Sequence, residues 1–242
     1  MRGGSRKYNN GFFQGTQLIP KRLHYCWFGD DGQPPHFERY CASWHKCLPD
    51  FEIFRWDSTN VPLSNDYLRV AYAGKAWSRL SNLVRLEVLL QEGGVYLDVD
   101  VEVIKPFDDL LGFQCVVGLQ TENAGRESIN GAVIAAQADS VFLRDCRDTM
   151  LRCFRRWGVL PRLPAVMCAV LRRYGLRENR PQTVAEVTLL PKAAFYPYTW
   201  EETFSQACLT PDTYCIHHWA GSWIARRSLL TRVREKIAHT FL

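Results

Sequence analysis

The fold class this sequence predicts is an α/β sandwich built on a largely parallel central sheet. Apolar runs of strand length alternate with helix-length segments from Lys21 onward, the order that builds parallel sheets. A Gly-Gly pair ends the most sharply defined helix and turns it at once into an apolar strand followed by acids. With 242 residues, 47% hydrophobic and 23% charged, the chain can bury one sizeable core. That composition excludes a disordered chain, a collagen rod and a disulfide-stapled miniprotein, and no window reaches the ~18 uninterrupted apolar residues of a membrane span.

Residues 1–17 read as a flexible Gly/Asn-rich segment whose early charges precede no apolar stretch of a secretory leader. Lys21–Phe28 is a strand closed by the turn Gly29-Asp30-Asp31-Gly32. A helix follows Pro34-Pro35 and ends near Leu48, and Phe51–Trp56 alternates as a second strand, completing a βαβ unit. The next helix runs from about Lys75 to Glu92, with a broad apolar face and a polar stripe of Ser78, Asn82 and Arg85. Gly93-Gly94 leads into the strand Val95-Tyr96-Leu97. Later strands are predicted at Gln114–Leu119, Gly131–Ala136, Glu186–Leu190 and Thr213–His217, and helices at Ser140–Trp157, Pro164–Tyr174 and Arg226–His239.

Parallel sheets bind ligands beyond the carboxyl ends of their strands, so the strand ending at Asp98 is where chemistry is sought. In an extended strand Asp98 and Asp100 share a side about 6.5–7 Å apart, with Glu102 next in the row. Two carboxylates so placed repel by about 2 kcal/mol at an effective dielectric of 20. A basic side chain, protonation or a divalent cation must offset that, and Mg²⁺ or Mn²⁺ takes such oxygen ligands together with substrate phosphates. A D-x-D pair alone is weak, since chance supplies about one in a chain this long; its setting after the Gly-Gly strand is what singles it out.

Ser81-Asn82-Leu83-Val84-Arg85 followed by Gly93-Gly94-Val95-Tyr96-Leu97-Asp98-Val99-Asp100-Val101-Glu102 resembles the signature of family 32 glycosyltransferases, the sugar-binding region with a DXD motif, which is also similar to the catalytic domains of clostridial glucosylating toxins. The run Ile19–Gly29 resembles that family's opening strand, Ser43-Trp44 and Pro49–Glu52 its next segment, and Ile216-His217-His218-Trp219-Ala220-Gly221-Ser222-Trp223 its closing element. The resemblance covers about residues 19–223 and implies a GT-A-like, Rossmann-type sandwich with helices on both faces, assigned here to residues 18–225. It implies a metal-dependent, retaining transferase that uses Mn²⁺ or Mg²⁺ and a nucleotide-sugar donor, UDP-linked by expectation.

Residue by residue, the resemblance gives Trp27 as the aromatic on the donor base, against a core tryptophan ending a strand. Arg85 is the arginine near the donor sugar and phosphates, against a surface ion pair. Asp98 and Asp100 are the DXD pair, and Ser81 and Asn82 stand at the donor sugar. His217 is a metal ligand by family spacing, against a histidine hydrogen-bonded in the core, while His218 points the other way. Asn130 lines the sugar pocket or is a turn residue, and Ser222 or Trp223 touches the diphosphate. Relatives carry Asp where this chain has Asn82, so the sugar is left open; the family's Thr-Gly-Pro turn appears only as Arg162-Leu163-Pro164.

A metal-dependent nucleotide-sugar hydrolase and a non-catalytic sugar-nucleotide-binding module are the competing readings. The acceptor, whether glycan, lipid-linked sugar or protein, cannot be read from the sequence, nor can the oligomeric state. Net charge is +5, too small to imply nucleic acid. Ten arginines between Arg144 and Arg180 are either the solvated faces of two helices or a surface for phosphates or anionic lipid. Residues 226–242 form a basic amphipathic helix, either packed on the domain or lying on an anionic membrane. Nine cysteines without a CxxC pair suggest free thiols in a reducing cytosol, hence a cytoplasmic expectation.

Overall fold

A computed structural model describes residues 18–29, 32, 36–122 and 128–220. The segments 1–17 and 226–242, together with Ser222 and Trp223, lie outside the described residues.

The expected βαβ unit opens the fold: β1 (Arg22–Cys26), α1 (Phe37–Cys47) and β2 (Glu52–Trp56), with β1 and β2 parallel. There follow α2 (Asp66–Ala73), α3 (Trp77–Glu92), β3 (Gly94–Leu97), β4 (Val101–Val103), β5 (Cys115–Leu119) and β6 (Ile129–Ala136). The chain continues through α4 (Val141–Trp157), α5 (Leu163–Arg173), β7 (Gln182–Val184), β8 (Val187–Leu190), α6 (Lys192–Phe195) and β9 (Cys215–His217). Seven strands form one sheet in the order β2-β1-β3-β6-β5-β8-β7, while β4 and β9 pair antiparallel as a separate ribbon. In the large sheet β6 and the edge strand β7 run against the other five, so the sheet is mostly parallel, as expected.

Alternation along the strands divides the core. Tyr96, Cys115, Val117 and Ile134 meet residues of α2, α3, α4 and α5 on one face. Val95, Leu97, Val116 and Val133 meet α1, α6 and the β4–β9 ribbon on the other. Helices thus cover both faces. The arginines of α4 and α5 are largely turned outward, where Arg144 meets Asp139 and Arg147 meets Asp148. No helix among the described residues is long and apolar enough to cross a membrane.

Helix α3 begins two residues later than expected because Lys75 takes a positive φ of 49°. Helix α2 was not expected; its signal is Asn65, whose side chain caps it by accepting from Leu68 N–H at 3.0 Å. The Gly93-Gly94 pair has a steric cause: both φ values are positive, and a Cβ on Gly94 would lie 2.5 Å from the Arg22 carbonyl oxygen. That close approach seats β3 against β1 and aims its carboxyl end at the acids that follow.

His24, fully buried in β1, fixes the same junction. Its Nδ1 accepts from Trp56 Nε1 at 3.2 Å and its Nε2 donates to the Gly93 carbonyl at 2.9 Å, an arrangement open only to the neutral ring. Burial lowers its pKa below the ordinary 6.5. The unfolded chain therefore takes up this proton first: the stability is whole above pH 6.5 and is lost as pH falls through the lowered folded value. Thermal melts from about pH 7.5 down to about pH 5 should show a steeper loss in the wild type than in His24→Gln; parallel curves would count against this role.

Candidate active site

The strand β3 stops at Leu97, and Asp98-Val99-Asp100 is a turn rather than the extended row expected, closed by Val101 N–H donating to the Asp98 carbonyl at 3.1 Å. Glu102 does not continue the acidic row. It faces away, meeting Arg39 at 3.1 Å and His218 at 2.8 Å, because the turn has reset the alternation before β4 begins.

The two acids of the turn have separate partners. Asp98 Oδ1 accepts from Arg85 at 3.0 Å and from the Tyr96 hydroxyl at 3.0 Å. Asp100, only 2% exposed, faces His217 Nε2 at 3.2 Å and accepts from the Ala220 backbone N–H at 2.8 Å. Basic groups therefore offset much of the repulsion between the carboxylates. Burial works against the charged Asp100, yet the facing imidazole outweighs it and holds the carboxyl below its ordinary range. Burial likewise works against a charged His217, and the Asp100 carboxylate outweighs it and raises the imidazole.

His217 arrives from the far end of the chain because β9 pairs with β4, setting it opposite Val101. The expected opposition of the two histidines holds, with His217 inward on Asp100 and His218 outward on Glu102. Asp98, Asp100 and His217 each present a ligand atom within 4.8 Å of the others, the one such group among the described residues. Asp100 Oδ1 has its ion pair with His217 Nε2 and no further hydrogen bond, and His217 Nδ1 is buried without a partner. Two carboxylates and an imidazole brought this close together suit a divalent cation.

Arg85 is not a surface arginine. Its Nε donates to Ser81 O, one terminal nitrogen donates to Gly131 O, the other meets Asp98, and the guanidinium lies 4.2 Å over the Tyr96 ring. The polar stripe of α3 is buried with it: Asn82 is 8% exposed, and the Ser81 hydroxyl is buried without a partner. Arg85 reaches the end of β3. The β5–β6 pairing breaks there, between Val117 and Gly118, and the irregular stretch of β6 bends over the turn so that Ala132 O accepts from Asp98 N–H.

Asn130 sits in that irregular stretch with its amide already engaged, Oδ1 accepting from Ala132 N–H and Nδ2 donating to Gln120. It shapes the wall, and one N–H and one oxygen lone pair are left for the sugar contact expected of it. Trp27, at the carboxyl end of β1, is partly buried against the core cluster of α1. Cys26 beside it has its thiol pushed up to about 12 by burial.

Sequence reasoning missed Tyr96, Tyr196 and Trp219. Tyr96 was within reach, since it stands two residues before Asp98. Tyr196 donates its hydroxyl to Asn130 O, and Trp219 lies 4.2 Å from the His217 ring. Tyr196 comes directly after α6 and Trp219 just beyond β9, positions that no periodicity marks.

Comparison with known proteins agrees with this geometry. Residues 34–117 match the family described as glycosyltransferase sugar-binding region containing DXD motif. The rat lactosylceramide 4-alpha-galactosyltransferase is 28% identical over 192 residues, covering 72% of this chain and 51% of that protein. Glucan organizing enzyme 1 of Cryptococcus neoformans var. grubii is 33% identical over 161 residues, covering 60% of this chain and 41% of that protein. This chain thus spans about half the length of the curated relatives it matches. The solved PaToxG glycosyltransferase superposes with a TM-score of 0.54 at 18% identity, covering 64% of this chain and 69% of that one, and so shares the fold.

Proposed function

From a chain that carries the DXD sugar-binding region of the glycosyltransferases on their GT-A fold, we propose a metal-dependent, retaining hexosyltransferase that uses a UDP-linked donor. The observation that carries the reading is the convergence of Asp98, Asp100 and His217 at the carboxyl end of β3. Those three residues would hold the cation. When bound, it neutralises the charge that builds on a departing diphosphate.

The remaining roles fall to the chain itself. Arg85 holds Asp98 and the carbonyl of Gly131, so the turn and the wall above it keep a fixed spacing. The Ser81 hydroxyl, buried without a hydrogen-bond partner, and the Asn82 amide, 8% exposed, offer groups for donor hydroxyls. Asn82 adds N–H donors where an Asp would bring charge, which shifts the hydroxyl pattern this site would accept. Trp27 stands at the strand end as the stacking surface for the base. The acceptor hydroxyl attacks the anomeric carbon, the bond from that carbon to the diphosphate oxygen breaks, the diphosphate keeps the electron pair, and the hydroxyl proton passes to it. With Asp98 committed to Arg85 and Asp100 to His217, neither acid is placed as an enzymic nucleophile, which favours attack by the acceptor from the departing face.

The names of the mammalian relatives support a galactosyl donor and a glycolipid acceptor. Work in the cytoplasm, and contact of the segment 226–242 with an anionic membrane, are carried as proposals from the sequence. A panel of UDP-sugars, each with and without manganese, tests the reading by thermal shift and donor turnover. One donor should stabilise the protein only with the metal and be consumed faster when an acceptor is present. Consumption indifferent to every acceptor would identify a hydrolase, and binding without turnover a recognition module.

A further inference from the structure

The geometry points to a separate binding cleft for a neutral terminal pyranose, next to the DXD turn and organised around Trp200; this deepens the glycosyltransferase reading and rests on it. Between the segment after β5 and the segments around α6 lies a cavity of about 630 Å³, within the ~300–1,000 Å³ of small-molecule sites. Its lining includes Gln120, Glu122, Lys192, Trp200, Glu201 and Trp219.

Two contacts tie this cleft to the candidate active site. Trp219 lines the cavity and lies 4.2 Å from the His217 ring, and Gln120 accepts from Asn130 in the β6 wall over the turn. An occupant of the cleft would therefore sit one indole away from the cation ligands.

The lining selects the class of occupant. Trp200 is 72% exposed, far more than any other large hydrophobic side chain described. An indole held open in a cleft offers a flat face of negative quadrupole, which suits the C–H face of a sugar ring. Around it stand the carboxylates of Glu122, Glu201 and Glu202, acceptors for hydroxyl groups. Among the described lining residues the cation is Lys192, already bound to Glu202 at 2.8 Å. The described lining, three carboxylates against one ammonium, disfavours a nucleoside diphosphate as its ligand. For the same reason, sugars bearing carboxylate, sulfate or phosphate are disfavoured. What fits is a ring with one apolar face, a rim of hydroxyls and no charge.

The test uses the full chain with manganese and whichever donor the UDP-sugar panel selects. Saturation-transfer NMR with lactose, maltose and sialyllactose reads the cleft, and acceptor-free donor hydrolysis reads the donor site independently. A neutral disaccharide should give transfer signals that Trp200→Ala removes, while sialyllactose gives none. In transfer assays Trp200→Ala should raise the acceptor KM about tenfold, the scale of one lost stacking contact, and leave acceptor-free hydrolysis unchanged. Glu201→Gln should narrow the gap between neutral and anionic sugars. Hydrolysis intact with an unchanged acceptor KM in Trp200→Ala, or with equal use of sialyllactose, or with no neutral sugar bound, overturns the cleft assignment. A wild type that neither binds nor consumes any nucleotide sugar would overturn the function instead, and the NMR signals would still judge the cleft.

Discussion

Asp100→Asn is expected to abolish manganese-dependent stabilisation and to lower donor turnover by on the order of 10³-fold, the scale of removing a group that supports leaving-group charge. The substitution keeps shape and an acceptor oxygen, so the Ala220 N–H that reaches Asp100 at 2.8 Å retains its partner. What goes is the negative charge, in a position only 2% exposed, where little water is present to replace it. His217 loses its counter-charge in the same step and no longer gains from being protonated there. The fold should survive, since the ribbon that carries His217 and begins just after Asp100 is held by the β4–β9 ladder and by His218 N–H donating to the Asp100 carbonyl. Circular dichroism establishes that survival, manganese calorimetry measures the lost site, and initial rates measure the lost turnover. A well-folded variant that binds manganese and turns over donor like the wild type would remove Asp100 from the metal site.

How much of this was legible in the sequence depends on the range of each interaction. The helix–Gly-Gly–strand passage was readable because every cause is local: periodicity ends α3, two positive-φ glycines turn the chain, and a short apolar run pairs beside β1. The carboxyl end of β3 was readable as the site for the same reason. The geometry of the two acids was not, because a turn and a strand differ there by one hydrogen bond, from Val101 N–H to Asp98 O, which no residue type announces. His217 lies far from Asp100 in sequence and reaches it only through the β4–β9 ribbon, so spacing within the chain carries no sign of it; the family resemblance did. Asn130 shows what residue type alone does not reveal. Its type suggested a ligand contact or a turn, while Ala132 and Gln120 each take up part of its amide. Trp200 had no signal at all, since an exposed tryptophan in an irregular segment is distinguished only by what surrounds it.

Arg85→Met should cost about 3–5 kcal/mol of folding stability, the range for breaking a buried ion pair by removing one partner. The Arg85 and Asp98 side chains are 5% and 12% exposed, so the stranded carboxylate would have the Tyr96 hydroxyl and little water in place of the guanidinium. Two backbone carbonyls, Ser81 O and Gly131 O, would lose donors as well. Methionine keeps the apolar stem on the Tyr96 ring, so the loss measures charge and hydrogen bonding rather than a cavity. Asp98→Asn added to Arg85→Met removes the stranded charge. The double variant should therefore be more stable than the two single losses predict, by about 1–3 kcal/mol of coupling. Urea denaturation of the four proteins in this cycle gives that number. Arg180→Met, which breaks an exposed pair with Glu178, is the control and should change stability little. If Arg85→Met were as mild as that control, the arginine would be a ligand for the donor phosphates with no structural duty. A large loss with positive coupling shows instead that the site is built before the donor arrives, with Asp98 held in place by the fold rather than gathered by the metal.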